Sequence, residues 1–508
     1  MIRTGTIMAL LCLSLACMAE SRRIKAESLA ADYKRMCKAV VAADLKKTPL
    51  EFAYLLPWGV SYDMDALIEG YLFSGDREYL DLFVDLGDKA VECRADKMGA
   101  KDWKGRLPKG WLASPHYGTS GPETLLDLDG NPSLSIRGTA LCMNDKTEVF
   151  TTLNEDGTFS IESRNADKRI SHLNRKLEGL TMDNVEAKVN TAKGYTQIKV
   201  KRLGEKPPAT AGPVTMKSNS FVMHGHHTGK CVIPLLRFAE LVKADKALDE
   251  RYGAAAARYL QCASEAMDDM AGDWRDHEHG GYIVFEPGLP FWSDGVAEPN
   301  NTLSLSAIAY LLLYKLTSAP HYKERAEKLA QYLKEELVPL EDGSAMFYYW
   351  SKVNRHGWTE EAGCTNLPVL STPKPYVEDM SHMQHSLRFY AEFCRSNVVI
   401  TREDLGRLAR SFHLRIDKGL AEGPEPNEIG KRKAFADRFD GSLLEGSAYQ
   451  TFQAGWAEFR DFEPVLVNRV WDLYVKGIPK SISSSRLYTL GTLLRFQLGK
   501  GGDATIVE

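Results

Sequence analysis

The chain has 508 residues, with 64 Lys and Arg against 68 Asp and Glu and a formal charge of −4. That balance excludes the globally basic surface that nucleic-acid binding needs, so a polyanion would have to be met by a locally basic cleft. The length is enough for one large core or for two or three domains.

The first predicted element is an export signal. Arg3 precedes an apolar run over 7–16, and small residues follow near Ala19, which reads as a signal peptide over 1–19. A lipid on Cys17 is the alternative, although the residues before it fit a lipoprotein box poorly. The mature chain is expected to be secreted or periplasmic. No other stretch reaches the roughly 20 apolar residues of a membrane span. The seven cysteines beyond Cys17 are odd in number and scattered, with no CxxC pair, so they do not form a disulfide framework.

Residues 26–46 have a helical pattern. Residues 63–72 and 77–97 read as an antiparallel helix pair joined at Ser74-Gly75-Asp76. In the second member Tyr79, Leu82, Phe83 and Leu86 fall at helical spacing. The pattern then changes. Residues 147–152 and 158–163 alternate around the turn Asn154 to Gly157 and predict a β-hairpin. Residues 195–202 alternate in part, and 204–213 is Pro-rich and loop-like. Beyond 228 helices are expected at 230–243, 248–270, 301–317, 322–337, 380–394, 401–414, 445–460, 464–475 and 483–497. The expected organisation is a signal peptide over 1–19, first helices over 20–117, a β-rich insertion over 118–220 and the remaining helices over 221–508. About a dozen helices in sequential antiparallel pairs predict a mainly α fold, an (α/α) toroid or incomplete barrel with a small β-rich insertion. A helical solenoid is the rival, weakened by the lack of a fixed period.

Polar and aromatic residues gather between the helices. Trp58, Tyr62, Asp63 and Asp65 stand at a loop-to-helix junction, where an acid can cap the helix or touch substrate. His224, His226 and His227 precede the helix at 230, with Gly225 and Gly229 allowing close backbone approach. Neutral histidines there can accept a proton. An H-x-H pair can also ligate zinc, but no third ligand is assignable. Arg275 and Tyr282 belong to a Trp/Gly-Tyr segment, and Asn300 and Asn301 open a helix, either as its cap or as amide donors. Tyr348, Tyr349 and Trp350 form an aromatic run. Glu378, Asp379 and His382 surround the start of the helix at 380, where a carboxylate can fix a histidine tautomer. No P-loop, nucleophile elbow, dinucleotide fingerprint or H-E-x-x-H is present.

Together these segments resemble the α/α-toroid polysaccharide lyases, the glucuronan- and alginate-cleaving ones nearest, over about 50–115 and 220–460; the β-rich stretch has no counterpart. In such lyases a uronate carboxylate is neutralised, a base removes the C5 proton, and an acid protonates the departing O4. The resemblance implies Asn300 or Asn301 with Arg275 or His226 as neutralisers. It implies His227 or His382 as the base and Tyr348 or Tyr349 as the acid. Trp58, Tyr62, Asp63, Tyr282 and Trp350 would contact substrate, with Glu378 and Asp379 behind. The implied partner is an acidic polysaccharide or oligosaccharide, without cofactor, a structural divalent cation being compatible. Three alternatives stand beside a lyase. One is a glycoside hydrolase on the same scaffold, pairing Asp63 or Asp65 with Glu378 or Asp379. The others are a uronate epimerase and a non-catalytic glycan-binding protein.

Overall fold

The computed structural model describes residues 2–139, 144–168, 171–190, 197–291, 294–354, 376–419, 434–443, 451–477 and 483–499. Its helices are α1 (Ile2–Leu45), α2 (Pro49–Leu55), α3 (Ser61–Ser74), α4 (Glu78–Glu92), α5 (Val185–Asn190), α6 (Gly229–Ala244), α7 (Lys246–Asp269), α8 (Asn300–Thr317), α9 (Pro320–Glu335), α10 (Met380–Arg395), α11 (Arg402–Ser411), α12 (Ala454–Ala457), α13 (Pro464–Gly477) and α14 (Ser484–Leu498). Among the described residues no helix is long and apolar enough to cross a membrane.

The fold is a mainly α toroid of helix pairs. Six helices form an inner ring in which each packs on the next, α3, α6, α8, α10, α12 and α14, and α14 returns to α3. The outer helices α4, α7 and α9 back α3, α6 and α8, while α11 lies on α10, α13 on α12, and α1 on α14. Sequence pattern explains the two layers. Outer helices bury one face, as α4 does with Tyr79, Leu80, Phe83, Leu86 and Ala90. Inner helices touch neighbours on every side, so every residue of α8 from Asn300 to Leu313 is buried.

The helix starts have local causes. Thr48 with Glu51 and Thr401 with Asp404 form capping boxes, and Asp245, Asp379 and Ser483 cap α7, α10 and α14. Two expectations about caps fail. The N-cap of α8 is Pro299 rather than either asparagine, and that of α3 is Val60, so Asp63 caps nothing. The helix expected over 445–460 lies outside the described residues up to 450; beyond them only α12 and a 3₁₀ turn, Glu458–Asp461, are formed.

The strands run β1 (Glu123–Leu126), β2 (Pro132–Gly138), β3 (Thr147–Leu153), β4 (Phe159–Asn165), β5 (Arg175–Leu180), β6 (Ile198–Arg202) and β7 (Ala211–Thr215). They form two antiparallel sheets, β1-β2-β6 and β5-β4-β3-β7. The β3/β4 hairpin has the expected turn, closing at Leu153 opposite Phe159 with Gly157 at φ 79°. The stretch expected to be a loop over 204–213 instead starts β7, because its residues from Ala211 complete the open edge of β3. Leu134, Ile136, Val149, Phe159, Ile161 and Val200 share a core separate from that of the helices. Bridges between Leu112 and Val222 and between Ser120 and Ser218 tie the entry of this β unit to its exit. The unit therefore leaves and rejoins the toroid at one place, directly before His224.

Candidate active site

The N-terminal ends of α3, α6, α8 and α10 meet one another, through Trp58 and His227, Gly225 and Glu298, and Tyr62 and His385. Two of these ends are preceded by π-helical turns, Leu56–Val60 before α3 and His224–Thr228 before α6. A π-turn inserts a residue and re-aims the side chains around it. The first turn presents Trp58 and the second His226 and His227. Trp58 Nε1 donates to His227 Nε2 at 3.2 Å, and the Trp58 ring packs edge-on against His226 at 5.4 Å. This bond leaves the His227 proton on Nδ1. Tyr117, brought in beside the β unit, packs edge-on against His227 at 5.5 Å.

Burial pushes the His227 imidazole down to about 3. It lowers His226 well below the usual range, and the charges of His227 and His382 add to the effect. The turn itself rests on Glu298. This carboxyl lies under Gly225, where an added Cβ would stand 2.7 Å from Oε2. Burial, with Asp273 adding to it, pushes Glu298 up to about 8, so at neutral pH it is a protonated acid facing Thr302 and the backbone of Gly225 and His226.

Opposite, the extended segment 376–379 leads into α10. Asp379 accepts from the backbone N–H of Ser381 at 3.0 Å and from that of His382 at 3.4 Å, from the Ser381 hydroxyl at 2.6 Å and from the Tyr376 hydroxyl at 3.0 Å. Both of its oxygens lie 2.9 Å from His382 Nδ1. Burial works to raise this carboxyl, but the hydrogen bonds and charge of His382, Ser381 and Tyr376 outweigh it and hold Asp379 down at about 2. The pairing fixes His382 with Nδ1 as donor, which leaves Nε2 as the acceptor nitrogen of the ring. Tyr349 stands edge-on to His382 at 4.8 Å. Burial and then the Asp379 and Glu378 charges raise its phenol, so it is protonated.

One helical turn after His382, His385 hydrogen-bonds the Tyr62 hydroxyl at 2.9 Å, and Gln384 donates to the same oxygen at 3.1 Å. Beneath Tyr62 sits Lys230, buried, with Nζ 3.8 Å from the ring centroid and 3.8 Å from Asp65. Burial pushes this amine down to about 7, with Asp65 opposing.

The structure thus brings together Trp58, Tyr62, His226, His227, Tyr349, Asp379 and His382. Asn300 lies below them, its amide donating to the Tyr348 carbonyl at 3.0 Å, and Asn301 is fully buried beside it. Trp350 packs against Tyr349 in an apolar cluster with Phe285 and Phe291. Glu378 is buried and accepts from Ser386 at 3.0 Å; burial raises its carboxyl well above the usual range.

Several expected residues are elsewhere. Arg275 and Tyr282 lie on the hairpin β8 (Trp274–His277) and β9 (Gly280–Ile283), which packs on outer helix α9. There Tyr282 meets Tyr332 at 5.1 Å, and Arg275 donates to the Gly272 and Trp274 carbonyls. Asp63 is buried, accepts from the Ser484 hydroxyl at 2.8 Å and lies beside Asp44. Asp65 is bound by Arg237 at 2.6 Å and Arg388 at 3.0 Å. Both acids are buried, which takes them away from the expected pairing of either one with Glu378 or Asp379. Among the described residues no three His, Cys, Asp or Glu side chains are grouped to hold a metal ion, and Cys17, Cys37, Cys93, Cys231, Cys262 and Cys394 are free thiols.

Sequence reasoning missed His385, Tyr117, Glu298 and Arg438. His385 carried a signal, since it lies three residues after His382 on the same helix face. Tyr117 and Arg438 carried none, because only the tertiary fold brings them in.

No protein-family model and no curated protein matches the chain. Among solved structures it is similar to the α-1,6-mannanase GH76A of Salegentibacter sp. HEL1_6, with 11% identity over 92% of this chain and 98% of that one at a TM-score of 0.40. It is likewise similar to an inactive variant of that enzyme in complex with α-1,6-mannotriose, with 11% identity over 92% and 99% of the two chains and a TM-score of 0.41. A second inactive variant, in complex with α-1,6-mannotetrose, shares 12% identity over 86% and 87% of the chains at a TM-score of 0.39.

Proposed function

We propose that this chain is an exported carbohydrate-active enzyme that cleaves a glycan in the cleft at the N-terminal end of the inner ring. The observation that carries the reading is the chain of contacts Asp379–His382–Tyr349, with the neutral His226 and His227 opposite. It supplies a histidine held in one tautomer by a buried carboxylate, next to a protonated phenol. The half-buried ring of Trp58 suits a sugar face.

Elimination is the chemistry these groups fit best. His382 Nε2 takes the C5 proton, the C4–O4 bond breaks as the C4–C5 double bond forms, and the Tyr349 hydroxyl gives its proton to O4. Of the described carboxylates around these groups, Asp63, Asp65, Glu298, Glu378, Asp379 and Asp437 are all buried, whereas hydrolysis needs two that reach the substrate.

Hydrolysis is the second reading, and one feature favours it. The neighbouring acids Glu378 and Asp379 are driven apart in protonation, one raised and one lowered, as an acid and a base must be. The test is the new chain end made from uronate and neutral glycans. Ends unsaturated between C4 and C5 support elimination. Saturated ends only, lost on Glu378→Gln, would transfer the chemistry to the acids. No cleavage of any glycan would remove the enzymatic reading.

A further inference from the structure

Arg438 is a cation beside the segment that leads into α10. Asp379 and Arg438 face each other in an antiparallel bridge, flanked by Met380 N–H to Asp437 O at 2.8 Å and Phe439 N–H to Glu378 O at 3.0 Å. Bonds in those positions make this the pair that exchanges no hydrogen bond of its own, the arrangement in which opposed side chains leave the same face and stand closest. Arg438 therefore emerges beside the carboxylate that orients His382.

The two do not form an ion pair. The oxygens of Asp379 are taken by His382, Ser381 and Tyr376. The guanidinium instead lies over the Tyr376 ring, 4.8 Å from its centroid. Among the described residues it has no carboxylate partner, and its Nε is buried without a hydrogen bond. A half-buried guanidinium with a desolvated donor is costly unless an acceptor arrives to meet it. Its planar fork matches an oxyanion, and the ring beneath fixes the plane.

We propose that Arg438 is the residue that selects an anionic sugar, taking its carboxylate or sulfate ester beside His382. This rests on the reading of the cleft as a glycan-cleaving site and names the substrate class of that site. A carboxylate held there also fits elimination, because neutralising it acidifies the adjacent carbon-bound proton.

The experiment is calorimetric binding of three probes to the full chain: an oligoglucuronate, the same oligosaccharide with its carboxyls reduced to hydroxymethyl groups, and a sulfated glucan oligosaccharide. Wild type is expected to bind one of the charged probes about tenfold or more tightly than the reduced one, as one charge-assisted fork provides. Preference for the first probe identifies the carboxylate, and preference for the third the sulfate ester. Arg438→Gln is expected to erase the preference while leaving the reduced probe unaffected. Arg438→Lys, which keeps the charge and loses the fork, is expected to lie between them and carries the test if the glutamine variant fails to fold. Equal binding of charged and reduced probes by wild type, no binding of either, or a preference that survives both substitutions would overturn the proposal. Cleavage of the same probes separates the two readings. Binding through Arg438 without any cleavage would sink the catalytic reading alone. Cleavage of the reduced probe as fast as the charged one would sink this proposal alone.

Discussion

Burial decides what each residue in the cleft can do. Trp58 Nε1 is the donor that His227 Nε2 receives, so Trp58→Phe strands a buried acceptor and is expected to cost about 1–3 kcal/mol in denaturant unfolding. An unchanged midpoint would mean that water replaces the indole. Glu298 makes a sharper prediction, with a sign. In the folded chain it holds its proton up to about pH 8, whereas a carboxyl in the unfolded chain ionises near pH ~4.3. Between those values the folded state carries the extra proton, so the stability from this group is complete below the lower value and is lost as pH rises through about 8. Glu298→Gln mimics the protonated acid. Its melting temperature relative to wild type is expected to improve steadily from pH 5 to pH 8, and a difference that is flat with pH would contradict a neutral Glu298. Asp379 does two jobs that substitution can separate. Asparagine caps a helix about as well, so Asp379→Asn is expected to keep stability within about 1 kcal/mol. It should nevertheless lower turnover by about 10²-fold or more, because His382 loses the carboxylate that fixes its tautomer.

The inner helices are held together across the ring by charge as well as by apolar packing. Asp65 and Glu69 on α3 reach Arg237 on α6, while Arg388 on α10 and Arg495 on α14 approach the same acids. Removing one partner leaves the rest buried and uncompensated. Asp65→Asn is therefore expected to cost about 3–5 kcal/mol and to broaden or shift the unfolding of the whole ring. A loss below about 1 kcal/mol would mean that the network is solvated. This network also explains what was legible in the sequence. The outer helices and the β3/β4 hairpin show one buried face at periods of 3.6 and 2, so their spacing gives them away. Asp65 does not. An acid near a helix start looks the same whether it meets substrate or an arginine from a distant helix. Arg275 and Tyr282 misled for the same reason, since a Trp/Gly-Tyr hairpin can cover an outer helix as readily as a cleft. Histidines near helix starts do come together, since His226 and His227 before α6 and His385 on α10 all pack around Trp58.

At the scale of the molecule, the cleft has two walls. One is the π-turn of His226 and His227 on α6, joined to Trp58 and resting on Glu298. The other is the segment 376–379 with α10, joined to Tyr349 and Arg438. The β unit enters and leaves at the first wall and contributes Tyr117. Were the glycan held elsewhere, on the β unit or the outer hairpin, these two walls would be dispensable. The most direct test is the turnover of purified wild type, Tyr349→Phe, His382→Gln and Arg275→Ala on a glycan that the wild type cleaves, with melting temperatures taken alongside. The account predicts that the first two variants lose activity by about 10²-fold or more at unchanged stability, while Arg275→Ala stays within a few-fold of wild type. Full activity in both Tyr349→Phe and His382→Gln, or a loss confined to Arg275→Ala, would contradict it.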